Sequence, residues 1–259
     1  MSSVSIMSKV WVNIWRIIFV GVVLLSWEMG VKYKAFDVFY TSQPSEIFSD
    51  LAKMFLTGEI IPHIAVTLEE ALLGLAFGTI AGVIVGFVLG RFEPVAQVLD
   101  PIIMALYGIP KLALGPLFIL WFGLGIKSKV FIALISVFFL TFFSAYSGFK
   151  NVSPDLLNTV RLMGATQGQV LRKIIFPSCV PWLLSGLRAS LGAALLGAIV
   201  GEYIGANSGL GWMVNYASGM YNTTRVLSTI VILSALMAIM NGCVSLLANR
   251  LLKWRTSTE

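Results

Sequence analysis

Residues 71–90 read ALLGLAFGTIAGVIVGFVLG, twenty positions without a charge. A helix rising about 1.5 Å per residue covers a hydrocarbon core of roughly 30 Å in about 20 residues, so this stretch is long enough to cross a bilayer. Two further uncharged runs, 130–149 and 226–249, are as long. None of them alternates apolar with polar residues, which argues against an outer-membrane barrel. Of the 259 residues, 58% are hydrophobic and 12% charged, against about 25% charged in an ordinary soluble domain. A soluble globular protein is excluded, and the expected fold is all-α, a polytopic helical bundle in lipid.

Cys179 and Cys243 lie far apart in or beside apolar runs and form no metal-ligand pattern. Neither metal nor redox chemistry is indicated. The net charge of +6 comes from scattered basic residues without a dense run or interleaved aromatics, so membrane topology explains it better than nucleic acid does. Residues 1–11 carry only Lys9, and the apolar run that follows lacks a small-residue cleavage site, which reads as a retained first span.

Six spans are expected, at about 12–30, 66–90, 100–122, 129–149, 179–204 and 226–250. One side of the membrane then receives ten basic residues: Lys9, Arg16, Arg91, Lys150, Arg161, Arg172, Lys173, Arg250, Lys253 and Arg255. The other receives six: Lys32, Lys34, Lys53, Lys127, Lys129 and Arg225. The positive-inside rule puts both termini and the 150–178 loop in the cytoplasm. The expected organisation is an N-terminal segment with the first span (1–39), a core of five spans (40–252) and a cytoplasmic tail (253–259).

Along the second span, Gly74, Gly78, Gly82, Gly86 and Gly90 recur every fourth residue and form one stripe. Such a stripe lets another backbone approach closely, within the chain, the preferred reading, or between subunits. Gly197, Gly201 and Gly205 repeat the spacing. Between the first two spans, Ile47, Phe48, Leu51, Met54 and Phe55 fall opposite Glu46, Asp50 and Lys53 after a break at Ser42–Pro44. They predict an amphipathic helix, lying at the outer interface or packed on the core.

The longest polar excursion is 151–181, NVSPDLLNTVRLMGATQGQVLRKIIFPSCVP. Ser153, Pro154 and Asp155 make a helix start, and Gly164 an end. Leu156, Leu157, Val160 and Met163 are expected on one face, with Asn158, Thr159, Arg161 and Leu162 on the remainder. A second helical stretch follows over 167–176, with Pro177 and Pro181 expected to break the chain before the fifth span. The short amphipathic helix must hide its apolar face against its own spans or in another protein.

Gly164, nine residues, Ile174, one residue, Phe176 and Pro177 resembles the cytoplasmic G-x9-I-x-L-P signature of ABC importer permeases, with phenylalanine for leucine. The Glu-Ala-Ala triad of that family falls on Asn158, Thr159 and Val160 and is not matched. The segments IPKLALGPLFILWFGLG (109–125), Gly186 to Gly192 and Gly201-Glu202-Tyr203 resemble the branch that imports nitrate, taurine and alkanesulfonates. The likeness covers about residues 40–250.

This resemblance implies a type I importer permease in a bacterial inner membrane. It would assemble as two permease copies, a homodimer by the single-permease habit of the branch, with two ATP-binding subunits and an external solute-binding protein. The chain lacks a G-x-x-x-x-G-K-[ST] phosphate cradle, so ATP and Mg would belong to the partner ATPase, and this chain would be neither an enzyme nor a cofactor carrier. The resemblance places the short helix in a groove of the ATPase, making Leu156, Leu157, Val160, Arg161, Met163, Gly164 and Ala165 the expected coupling residues. Gly164 would supply the turn, Val160 and Met163 the apolar grip.

Charges inside spans demand an account. Lys111 is the candidate for a water-filled solute path, where an ammonium suits an anion, and snorkelling or pairing with a glutamate is its alternative. Arg188 is expected to meet carbonyls or lipid phosphate. Glu202, near the outer face, is a second candidate for the pathway, with a structural cap or gate contact preferred. His63 reads as structural. Trp212, in the glycine-rich NSGLGW of 207–212, reads as an interfacial anchor or part of an inserted turn. A self-contained channel and a membrane-embedded enzyme are the alternative functions. The enzyme would need paired acids, a metal cluster or an activated nucleophile within spans, none of which is visible.

Overall fold

A computed structural model describes residues 3–252, with side chains described from Trp11 onward. The expected tail 253–259, with Lys253 and Arg255, and the side chain of Lys9 lie outside the described residues. The helices are α1 (Ser3–Lys32), α2 (Val38–Thr41), α3 (Pro44–Leu56), α4 (Ile60–Arg91), α5 (Glu93–Gly108), α6 (Gly115–Phe122), α7 (Ile126–Lys150), α8 (Pro154–Leu162), α9 (Gln167–Val170), α10 (Phe176–Gly205), α11 (Leu210–Gly219) and α12 (Thr223–Leu251). No strand occurs among the described residues. Five helical runs are long and apolar enough to cross a membrane: α1, α4, α7, α9 through α10, and α12. The bent pair α5 and α6 makes a sixth if it counts as one broken span.

Contacts divide the chain into two compact units, one formed by the residues up to Ile61 with Met213–Ile232, the other by Pro62–Trp212 with the residues from Leu233 onward. In the first unit, α3 turns Ile47 and Met54 inward and leaves Phe48, Phe55 and Leu56 exposed. Its polar side is tied down: Arg225 pairs with Asp50 (3.3 Å) and Glu59 (3.1 Å). Glu28 of α1 accepts hydrogen bonds from the backbone N–H (3.0 Å) and hydroxyl (2.8 Å) of Ser45. The amphipathic helix is therefore core-packed on one face and open on the other.

The second unit is built around α7. The glycine stripe of α4 lies along it in parallel, Gly74 facing Ala133, Gly78 Val137, Gly82 Thr141, Gly86 Ala145 and Gly90 Phe149. Both partners advance four residues per step, so one register serves the whole seam. The approach leaves no room for side chains: a Cβ at Gly78 would lie 2.7 Å from the Leu134 carbonyl oxygen, and one at Gly86 2.8 Å from that of Phe142. The Thr141 hydroxyl donates across the seam towards the Gly78 carbonyl (3.2 Å). On another side of α7, α10 runs antiparallel, with Gly186 against Ser144, Gly197 against Ala133 and Gly201 against Lys129. In lipid, where apolar burial gives little drive, such close packing is what associates helices.

Two expectations, the single third span and the break at Pro177 and Pro181, are corrected. The third span is not one helix over 100–122. Pro110 forces Ile109 into extended backbone (φ −65°, ψ 133°), because the proline ring clashes with a helical preceding residue, and α5 and α6 meet at 74° around a short 3₁₀ turn, Lys111–Leu114. Pro177 and Pro181, in contrast, do not break the chain. A π-helical turn over Leu171–Ile175, with the Phe176 N–H donating to the Leu171 carbonyl, widens the helix just before Pro177, and α10 continues through Pro181.

The seam makes a quantitative claim. Gly82→Leu in the full chain should lower the melting temperature of the purified protein, at a cost of about 1–3 kcal/mol or more for overpacking. Gly21→Leu, where nothing lies within 4 Å, should leave it unchanged; equal melting of both variants would refute the seam.

Candidate functional site: the short helix, the bend and the buried polar hub

α8 is delimited at both ends by its own sequence. The Ser153 hydroxyl accepts from the Leu156 N–H (3.4 Å), and Pro154 occupies the first turn, where a missing N–H costs nothing. Gly164 adopts φ +85°, and the Ala165 N–H reaches back to the Val160 carbonyl (3.2 Å), closing the helix through a left-handed residue. Thr166 and Gln169 then form a reciprocal capping box that starts α9.

The expected single apolar face of α8 is divided. Leu157, Val160 and Ala165 pack, with Ile174, Phe87 and Phe149, onto a core of Val152, Val170, Ile175 and Cys179. Leu156 is half exposed, while Leu162 (89% exposed) and Met163 (80%) project from the end of the helix. Val160 therefore anchors the helix and is not part of an exposed grip. Leu162, assigned by spacing to the polar remainder, belongs to the tip instead. Arg161 and Gly164 are exposed. The motif residues secure the root: Ile174 joins the core, Phe176 stacks on Phe87 (5.9 Å between centroids), and Pro177 follows the π turn.

Lys111 sits at the break between α5 and α6. Its ammonium donates to the Tyr107 carbonyl (2.6 Å) and lies over the rings of Tyr107 (4.4 Å) and Phe139 (4.9 Å). Beside it is a cavity of about 300 Å³ lined by Ile109, Pro110, Lys111, Leu112, Ser136, Ala193 and Leu196. An ammonium has three donors and one is spent on the carbonyl, so Lys111 retains capacity towards the cavity.

Glu202 is not among the residues lining that cavity. It is fully buried near the end of α10, where Oε1 accepts from the Thr67 hydroxyl (2.6 Å) and Oε2 from the Gly211 N–H (2.6 Å). The Leu210 N–H donates to Thr67 Oγ1 (2.8 Å) and the Gly209 N–H to His63 Nδ1 (3.0 Å); the His63 ring stacks on Trp212 (5.2 Å). The 207–212 loop is thus strapped to α4 and α10. Two buried residues that sequence reasoning missed complete this hub, Glu70 and Lys129. Lys129 donates to the Leu124 and Gly125 carbonyls. His63, Thr67 and Glu70 recur at i, i+4 and i+7, a polar stripe that was available as a signal. Arg188 is exposed on α10. Among the described residues, no group of three or more His, Cys, Asp or Glu is arranged to hold a metal.

The bundle, with its capped, exposed helix rooted between apolar spans, is that of a polytopic membrane protein. Residues 78–253 match the model of the family described as binding-protein-dependent transport system inner membrane component, and the chain belongs to that family. It is 31% identical over 239 residues to a Bacillus subtilis protein named as a putative aliphatic sulfonates transport permease (92% of this chain, 87% of the relative). It is 29% identical to the taurine transport system permease of Escherichia coli (92% and 89%). A formylaminopyrimidine transport permease of Halalkalibacterium halodurans is 34% identical over 74% of this chain and 77% of its own. A solved chain of the methionine ABC transporter MetNI superposes with a TM-score of 0.65 at 20% identity, covering 74% of this chain and 95% of that one, which supports the fold. The protein is a permease of an ABC importer.

The division of α8 is testable by thermal melting of the full chain. Val160→Asp should destabilise it by about 2 kcal/mol or more, an unpaired charge being forced into a core, whereas Met163→Asp should melt as the parent does. Equal losses would show that Met163 is also buried.

Proposed function

We propose that this chain carries a small anionic or polar organic solute inward by alternating access, driven by ATP hydrolysis on separate subunits. The observation that carries the reading is the Leu162–Met163 tip, an exposed apolar pair on a helix whose other face is rooted in the bundle. An apolar knob on a stiff mount suits a groove in another protein. With α8 docked, closure of two ATPases moves the knobs, and the packed spans pass the motion on as a rigid body. ATP and Mg belong to the partner. Two copies of the permease, two ATPases and an external solute-binding protein make up the assembly. The excess of basic residues at the α8 end supports a cytoplasmic position for that end and for both termini.

Two relatives are named for sulfonates and taurine, and an acidic solute group is what the free donors of Lys111 would bind beside the Ile109–Leu112 bend. The cavity there is of the size of a small organic molecule.

Leu162→Asp with Met163→Asp should abolish co-purification of the ATPase and ATP-driven uptake while the chain still folds; normal uptake by the double variant would remove α8 from coupling. Separately, Lys111→Met should weaken uptake of an anionic solute roughly tenfold or more, as for loss of a charged hydrogen bond, with assembly intact. Unchanged uptake would return Lys111 to a structural role.

A further inference from the structure

The hub at the end of the second unit opposite α8 holds an unexplained polar atom. Glu70 is 3% exposed, and its Oε2 has no hydrogen-bond partner. Glu70 stands three residues after Thr67 on the same face of α4, and Thr67 is bound to Glu202 (2.6 Å), so the two buried carboxyl groups share one side of the helix. The charged and titratable groups around the pair are Lys129 on α7, Glu69 beside Glu70 on α4, and His63, bound to Gly209. The 206–212 segment packed against the pair brings no charge of its own.

Charge and hydrogen-bond chemistry favour one arrangement. Two carboxylates and one ammonium would leave a net negative charge where Glu202 and Lys129 are almost wholly sealed from solvent, and uncompensated buried charge is strongly destabilising. A carboxyl can hydrogen-bond another carboxyl only when one of them carries a proton. A single proton meets both demands. It neutralises the group with Lys129, provides the donor between the acids, and leaves Glu70 Oε2 as the carbonyl oxygen of a neutral acid, which is less costly to leave unpaired than a carboxylate oxygen.

We infer that Glu70 and Glu202 form a proton-binding site inside the bundle, and that the bound proton holds the 207–212 loop in place. Glu202 is the acceptor for both Thr67 and Gly211, and a Cβ at Gly209 would collide with its carboxyl group, so the loop backbone is moulded directly onto this side chain. Removing the proton sets two carboxylates against each other. Repulsion then displaces Glu202, and the Gly211 and Thr67 hydrogen bonds are lost with it. Glu70 acts as a positioning residue through Glu202.

The test uses the full chain in lipid nanodiscs. Infrared difference spectra between the parent and Glu70→Gln should show the C=O band of a protonated carboxylic acid near neutral pH in the parent alone. Glu202→Gln, which neutralises the group without a proton, should lose the same band and serves if Glu70→Gln folds poorly. In thermal melting, the parent should lose stability as pH rises through release of the proton. Glu70→Gln, whose amide is a permanent donor to Glu202, should show a flat profile over that range. A parent without the band at any pH, or identical pH profiles for parent and Glu70→Gln, overturns the inference. So does a pH dependence that persists in Glu70→Gln and vanishes in His63→Gln, which would assign the titration to His63.

Discussion

Helix α4 touches α7 backbone to backbone along the five glycines from Gly74 to Gly90, and the second unit depends on that contact. In water a bundle is held by the expulsion of solvent from apolar surfaces, but lipid offers those surfaces an equivalent partner, so only closer packing favours protein over lipid. Glycines provide it by bringing whole backbones together, which multiplies dispersion contacts that are individually small. The repeat of four on both helices keeps the contact in register from end to end. With α10 seated on another side of α7 through Gly186, Gly197 and Gly201, three spans share one rigid axis.

Both ends of the second unit hang from that axis. At one end, α8 is fastened by Leu157, Val160 and Ala165 to a core that includes Phe87 of α4 and Phe149 of α7. At the other, Thr67 of α4 is bound to Glu202 of α10, and Lys129 of α7 packs against Gly201 of α10. In the proposed coupling, a force applied at the exposed Leu162–Met163 tip would reach helices that are packed in one register. The bent pair α5 and α6 is held differently. Its Pro110 break opens the Lys111 cavity, one wall of which is formed by the packed helices through Ser136, Ala193 and Leu196.

Proline shows how local rule and context diverge. Pro110 has no slack before it, and Ile109 leaves the helix; before Pro177 a π turn accommodates the ring, and the helix persists. The missing N–H and the ring clash are local properties of proline; in the sequence they predict a break at Pro177 and Pro181, while the third span is expected to run through Pro110. Whether a wider turn absorbs the clash depends on neighbours such as Phe87 against Phe176, which lie far away along the chain.

The sequence by itself determined the membrane, the all-helical class, the approximate spans, the glycine stripe and both ends of α8, because length, hydropathy and capping act within a few turns of chain. The signature from Gly164 to Pro177 likewise pointed to the importer permeases before any fold was seen. Only the tertiary structure decided which helix the stripe would meet, that Val160 faces the bundle and Leu162 the solvent, and that Glu70, Lys129 and Glu202 come together. These outcomes depend on contacts between residues as far as 135 positions apart, as in the bond from Thr67 to Glu202; a periodic stripe in one helix can mark a face that packs, but which residues meet it is set by the packing of whole helices.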